Sequence, residues 1–405
     1  MAILTASSPF AAVAALLLSA NVGSAWVPIY GTRIGGAAST SSSALSMSAA
    51  LIVQNKGGGH GELGFQLARA LRASNGDKIT SVTILQDDAC DESKEPFVSY
   101  GSDLPDVTVV RTALGDEGAT AESLQAVLGD GASFEYIWDN ASKGPVGAGK
   151  AVCDLAKVWD TKLLTYVSSA GMYQPAADAT FPMSEMTPIK ESAGQAKFDA
   201  YAIDLGLPLV SFRPQYIYGP KSSKNDYIDW YLDRIVRDLP LPIPGDGTQK
   251  VSLTNSEDVA SLLSSVLKDE GSATGQRFFN CGTDYLVSYD DVAYMCAEAA
   301  GVAKEDVKIQ HYDSDKLGKG KFPFRPTDFY VSPDAAKSKL GWEGATHKLS
   351  EDLGWYFEGY KARGGPEKKL DLSKDWEIIS GSESEFAIGS VYEKYDPALK
   401  ELQVD

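Results

Sequence analysis

The feature that most constrains this chain is a short apolar run that breaks onto glycines. Ala50, Leu51, Ile52 and Val53 read as a buried strand, and Asn55–Gly64 follows at once, with glycine at 58, 61 and 64. Behind the glycines, Phe65, Leu67, Ala68, Ala70 and Leu71 recur at the spacing of one helix face. Strand, glycine turn and helix in this order serve three physical needs. A tight turn uses positive φ, the backbone approaches an anion closely, and the helix lies close on the strand. The helix N-terminus then offers unpaired N–H groups and a partial positive charge to a pyrophosphate. Gly58, Gly61 and Gly64 are therefore the candidate dinucleotide loop.

The same alternation continues. Strands are expected at Ile79–Leu85, Val107–Arg111, Tyr136–Trp138, Leu163–Val167 and Leu209–Phe212. Helices are expected at Ala148–Trp159 and Ser192–Leu205. Strands that alternate with helices imply an α/β fold with a doubly wound parallel sheet. Beyond Pro220 the pattern loosens, with helices expected at Asp229–Arg237, Val259–Leu267, Tyr289–Ala300 and Leu349–Arg363. The organisation expected is a nucleotide-binding domain over 50–220, a smaller α/β lobe over 221–364, and a charged, loosely attached tail over 365–405.

Asp87 follows the second strand, where a carboxylate either accepts from a ribose hydroxyl or is a solvated loop acid. His60 is either a phosphate contact or a surface loop histidine. No spacing of carboxylates marks a metal site. Cys90, Cys153, Cys281 and Cys296 form no Cys-x-x-Cys pair and read as small buried hydrophobes in a reducing compartment. The formal net charge of −18 repels polyanions at long range, so any nucleic-acid contact must be local.

Residues 1–49 stand apart. They contain no Asp, Glu or Lys, and Arg33 is their single Arg. The apolar run Ala11–Leu18 is too short to span a bilayer and fits a signal-peptide core. The acid-free, Ser- and Ala-rich stretch from Gly31 has transit-peptide composition. Together they read as a two-part presequence to a plastid stroma, with a secretory signal plus spacer as the alternative. Ser24–Pro28 resembles the junction used by algae with complex plastids, with Trp26 in the aromatic place. The remainder holds no apolar run long enough for a membrane helix.

Later segments carry a family resemblance. Ser168–Tyr173, Arg213–Pro220, Pro244–Gln249, Asn255–Ala260, Phe279–Gly282 and Leu340–Trp342 resemble, in order, the motifs of extended short-chain dehydrogenases of Rossmann fold. That resemblance implies a Tyr-x-x-x-Lys pair as general acid or base, beside a Ser that orients the substrate oxygen. Lys197 and Ser169 match two of these residues. Ala193 stands where the Tyr is expected and cannot transfer a proton. Hydride transfer, epimerisation and dehydration by that mechanism are therefore not expected.

A narrower resemblance is to chloroplast stem-loop-binding proteins. It rests on Asn55–Phe65, Asp139-Asn140, Ser168–Tyr173, Ala193-Gly194, Phe212–Tyr216, Trp230–Asp238, Leu241–Gly245 and Ile309–Asp313. It implies a plastid RNA-binding protein acting in transcript or ribosomal RNA stability and processing. Structured plastid messenger and ribosomal RNA would be the partners, in ribosomal or nucleoid complexes, with a homo-oligomer open and no membrane association. Some members are described as metal-assisted endonucleases, so enzymatic activity stays open, as does a divalent metal. NAD(P) is the cofactor implied, in working or vestigial form. Two further readings stand: an NAD-dependent nucleotide-sugar epimerase or dehydratase with altered catalytic groups, and a non-catalytic NAD(P)-sensing scaffold.

The local basic candidate is Lys316–Arg325, where Lys316, Lys319, Lys321 and Arg325 interleave with Phe322 and Phe324. It reads as an RNA contact. Arg325–Asp328 also resembles the diphosphate-holding Arg-Pro-x-Asp of nucleotide-sugar enzymes, and a solvated loop is the third reading. Arg234 and Arg237 share a helix with Trp230 and Tyr231, aromatics that read as core.

Overall fold

The computed structural model describes residues 48–57, 61–74, 78–115, 118–176 and 178–382. Gly58, His60, nearly all of the expected presequence and the end of the tail lie outside the described residues. Seven strands form one parallel sheet. They are β1 (Ser48–Gln54), β2 (Ile79–Asp87), β3 (Thr108–Thr112), β4 (Tyr136–Asn140), β5 (Leu163–Val167), β6 (Leu209–Pro214) and β7 (Phe278–Cys281). Their order is β7-β6-β5-β4-β1-β2-β3, so the winding reverses between β1 and β4. The doubly wound α/β expectation holds. The sheet gains β7, a four-residue strand paired with β6, which its short apolar run did not announce.

Both faces of the sheet are covered, because successive side chains alternate between faces. On one face Ile52, Ile84, Trp138, Val210 and Phe279 pack against α1 (Leu63–Ser74) and a helix over Ser256–Ser264. The Trp138 indole donates to the Leu263 carbonyl at 3.1 Å. On the other face Leu51, Val53, Ile137, Leu164 and Tyr166 meet α2 (Ala121–Leu128), α3 (Ala148–Val158) and α4 (Gly194–Asp204). Tyr166 stacks on Phe198 of α4, with ring centroids 3.9 Å apart.

The later part builds its own core from α5 (Asp226–Ile235), α7 (Tyr289–Ala299) and α8 (Leu349–Ala362), while α6 (the Ser256–Ser264 helix) belongs to the sheet core. Helix starts follow their caps rather than the apolar pattern. The Asn255 side chain accepts from Glu257 N at 2.9 Å, so α6 begins three residues before Val259. Ser288 and Asp291 form a reciprocal capping box that starts α7.

The loosely attached tail is corrected over 365–382. There α9 (Ser373–Gly381) docks through Asp375, which receives two bonds from the Arg234 guanidinium at 2.7 and 2.9 Å. Both partners are buried, and Ile379 packs with Leu239 and Leu372 beside them. Trp230 and Tyr231 are core residues, as their helical spacing suggested. All four cysteines are free, and Cys153, Cys281 and Cys296 are buried. No helix among the described residues is long and apolar enough to cross a membrane.

Candidate functional site

The site begins where β1 and β4 part. Gln54 ends β1 fully buried, its amide donating to the Gly61 carbonyl at 2.9 Å. Its oxygen accepts from Asn140 at the end of β4, also at 2.9 Å. Asn55 donates to the Asn140 carbonyl at 2.8 Å and accepts from Gly57 N at 2.8 Å. Gln86 of β2 donates to the Asn55 carbonyl at 2.8 Å. Three adjacent strand ends are thus tied to the glycine turn by side-chain amides.

Two glycines have work that only glycine can do. Gly57 sits at φ +113°, a region side chains rarely enter. A Cβ on Gly64 would lie 1.9 Å from Gln54 Oε1, so α1 can approach β1 this closely only without one. Glu62, between the turn and α1, is buried. It accepts from Gln66 at 2.8 Å and from Lys221 N at 3.1 Å, and burial pushes its carboxyl up.

A cleft of about 500 Å³ opens at this switch of winding. Its walls include Asn55, Gly57, Asp87, Asn140, Ser168, Ser169 and Gln195. Asp87 stands at the end of β2, its Oδ1 accepting from Ala89 N at 3.1 Å. Asp139, fully buried, accepts from the Ala141 and Ser142 amides at 2.9 Å and caps the turn after β4. Burial raises its carboxyl as well.

The catalytic half is incomplete. Ser169 lines the cleft, but its Oγ accepts from Gly171 N at 3.0 Å and so caps a tight turn. Ser168 beside it is buried, and its Oγ has no hydrogen-bond partner among the described residues. Ala193 precedes α4 and offers no side-chain cap. Lys197 is exposed, and neither it nor Ala193 is part of the cleft wall. Neither member of the family pair stands in the cleft wall: Ala193 occupies the place where the Tyr is expected, and Lys197 lies outside it. Tyr201, the nearest Tyr on α4, donates to Asp154 at 2.8 Å on the outer face.

The 316–325 segment divides. Lys316 pairs with Asp313 at 3.1 Å in solvent. Phe322 and Phe324 are 2% and 0% exposed, so their reading as RNA-stacking rings is corrected: they are the floor of the second core. Lys319, Lys321 and Arg325 do share one hollow of about 570 Å³. Lys321 is paired with Asp371. Arg325 donates to the carbonyls of Gly171 at 2.7 Å and Tyr173 at 3.3 Å, and lies 3.7 Å over the Phe329 ring. Burial holds Lys319 below its usual value, with Arg325 adding repulsion. Among the described residues, no three His, Cys, Asp or Glu side chains cluster as a metal set.

Sequence reasoning missed Gln54, Gln86, Lys143, Lys224 and Tyr227, and read Asn140 only as part of a family motif. The only sequence signal for the amides was their place at strand ends. Lys224 and Tyr227 carried none, because they reach the cleft from the second lobe.

The model of the NAD dependent epimerase/dehydratase family matches residues 57–282. The chloroplast stem-loop binding protein of 41 kDa b of Arabidopsis thaliana is 31% identical over 228 residues, 53% of this chain and 56% of that protein. A trifunctional UDP-glucose 4,6-dehydratase, 3,5-epimerase and reductase of the same plant is 29% identical over 162 residues, 39% of this chain and 23% of that protein. The chain thus spans at most about half the length of the curated relatives it matches. Among solved structures, dTDP-glucose 4,6-dehydratase of Bacillus anthracis with NAD superposes with a TM-score of 0.60 at 16% identity, covering 78% of this chain and 98% of that one. UDP-glucose 4-epimerase of Thermotoga maritima with UDP-glucose gives 0.58 at 16% identity, covering 78% and 99%. At this identity the superpositions establish a common fold and nothing further.

Proposed function

We propose a function from the premise that this chain belongs to the NAD dependent epimerase/dehydratase family: it is a plastid RNA-binding protein that keeps the nucleotide cleft of that family without its proton-transfer chemistry. What carries this reading is a cleft at the switch of winding together with Ala193, which stands where the dehydrogenase resemblance expects the catalytic Tyr. The local likeness to a stem-loop binding protein of chloroplasts supports the RNA part and the plastid destination. The role that follows is stability or processing of plastid transcripts and ribosomal RNA.

The cleft fits a dinucleotide. Gly57 stands in its wall, Gly64 lets α1 lie close on β1 so that the helix start follows the glycine turn as a pyrophosphate site requires, and Asp87 stands where a ribose hydroxyl would donate. Bound NAD would supply a hydride acceptor. This chain's own residues would orient it, but the family's Tyr and Lys do not stand in the cleft wall to serve as general acid and base. NAD is therefore a structural or sensing ligand here.

The test is crosslinking of the purified chain to structured plastid RNA at low salt, where phosphate contacts are strongest. Crosslinking is expected, and its absence at the lowest salt contradicts the proposal. RNA kept intact with and without Mg²⁺ would mark a binder, and shortened RNA an endonuclease. Fusing residues 1–49 to a fluorescent protein in an alga with a complex plastid tests the destination, with stromal fluorescence expected and secretion contradicting it.

A further inference from the structure

The dinucleotide-type cleft is the first of three hollows that share walls. Lys224 and Tyr227 line both the cleft and the hollow that holds Lys319 and Arg325. Trp230, Asp233, Lys321 and Lys368 line that hollow and a third, of about 190 Å³, against the docked extension at Lys369–Leu372. The result is one groove from the ends of the sheet strands to the C-terminal extension.

Its charge is opposite to that of the molecule. The chain carries 55 acidic and 37 basic side chains, so a surface taken at random would be acidic. In the groove, Lys56, Lys143, Lys319, Arg325 and Lys369 line the walls and have no carboxylate ion-pair partner among the described residues. The carboxylates of the second-lobe walls are already engaged. Asp226 faces Lys224, Asp371 faces Lys321, and Asp233 accepts from Lys368 at 2.9 Å. Asp229 accepts from Tyr356 at 2.8 Å and from Arg363 at 3.2 Å. What remains uncompensated is cationic. Asp87 at the far end is the exception.

One aromatic ring stands at the junction. Tyr227 is half-buried, lies nearly parallel to Phe324 at 6.1 Å and edge-on to Tyr216 at 5.0 Å, and is part of the wall of two hollows. A ring held this way can stack a base at little entropic cost.

We infer that this groove is the track of a single-stranded RNA segment, its phosphates on Lys143, Lys319, Arg325 and Lys369 and a base on Tyr227. The inference rests on the RNA-binding reading above and adds the site. A nucleotide sugar would use only one hollow. Three joined hollows with unpaired cations in each match a polyanion longer than a dinucleotide.

The test is a salt series of binding to unstructured RNA by the full chain. Lys143→Gln, Lys319→Gln and Lys369→Gln, combined, remove one exposed cation from each hollow. The slope of log affinity against log salt should flatten by about 2, at about 0.7 per lost phosphate contact, with about a tenfold to hundredfold loss of affinity at low salt. Lys157→Gln, Lys190→Gln and Lys304→Gln, exposed elsewhere, form the control and should leave the slope unchanged. If the wild type binds RNA but both triple variants behave alike, the track is wrong and RNA binding survives. If the wild type binds no unstructured RNA, the track falls, and the RNA-binding reading falls with it when structured RNA is not crosslinked either. If UDP-glucose displaces the RNA and only Lys319→Gln weakens binding, the middle hollow is a nucleotide-sugar site and the track is overturned.

Discussion

Gly64 and Asp199 show how single buried residues set the stability of the fold around the sheet. Gly64→Ala would push a methyl group onto Gln54, whose amide joins the glycine turn to β4. Displacing it breaks buried hydrogen bonds, so a loss of about 1–3 kcal/mol is expected, with weaker NAD binding. Chemical denaturation and NAD titration check both, and a variant as stable as the wild type would show that the contact is not needed. Asp199 on α4 is buried against β6, and burial pushes its carboxyl up to about 6 from an ordinary 3.8. Nearby Arg213 pulls the other way but does not win. The fold therefore favours the protonated acid. That contribution is complete below pH about 4 and is lost as pH rises through about 6, on the order of 3 kcal/mol. Asp199→Asn should gain on the wild type as pH rises from 4 to 7 in urea titrations, and parallel profiles would refute the assignment. Neither effect was legible in the sequence. The glycine was visible, but its partner Gln54 was not. Asp199 read as one polar residue of a helix.

Elements were more legible than contacts. Six of the seven sheet strands and the α3, α4 and α8 helices follow from apolar period, because each buries a whole face. β7 escaped notice because four residues carry no period, and its place depends on pairing with β6, which precedes it in sequence by more than sixty residues. The extension at 365–382 escaped for the same kind of reason. Its composition is charged, yet one of those charges, Asp375, meets Arg234 across 141 positions of sequence and is buried. Removing one partner of a buried pair leaves the other charge uncompensated, at about 3–5 kcal/mol. Asp375→Ala should therefore release α9 and expose 365–382 to limited proteolysis while the sheet core stays folded. Unchanged resistance would mean that Ile378 and Ile379 hold the extension without the ion pair.

At the scale of the whole molecule, fold and chemistry separate. The sheet, the switch of winding and the cleft belong to the NAD dependent epimerase/dehydratase family, and much of that was readable from the glycine turn and the later motifs. Ala193, at the place where the resemblance expects a Tyr, was readable too. The cationic surplus was readable only at Lys319 and Arg325, because Lys56, Lys143 and Lys369 come from scattered segments that only the fold gathers. If the groove holds RNA, affinity should fall as salt rises, because each phosphate contact depends on counterion release, while screening of the −18 chain's long-range repulsion only blunts the slope. The most direct measurement combines two readouts on one preparation: affinity for structured plastid RNA across a salt series, and turnover of UDP-glucose in the presence of NAD. Saturable, salt-sensitive RNA binding without sugar turnover is the predicted result. Turnover of the nucleotide sugar with no RNA bound at the lowest salt would contradict it.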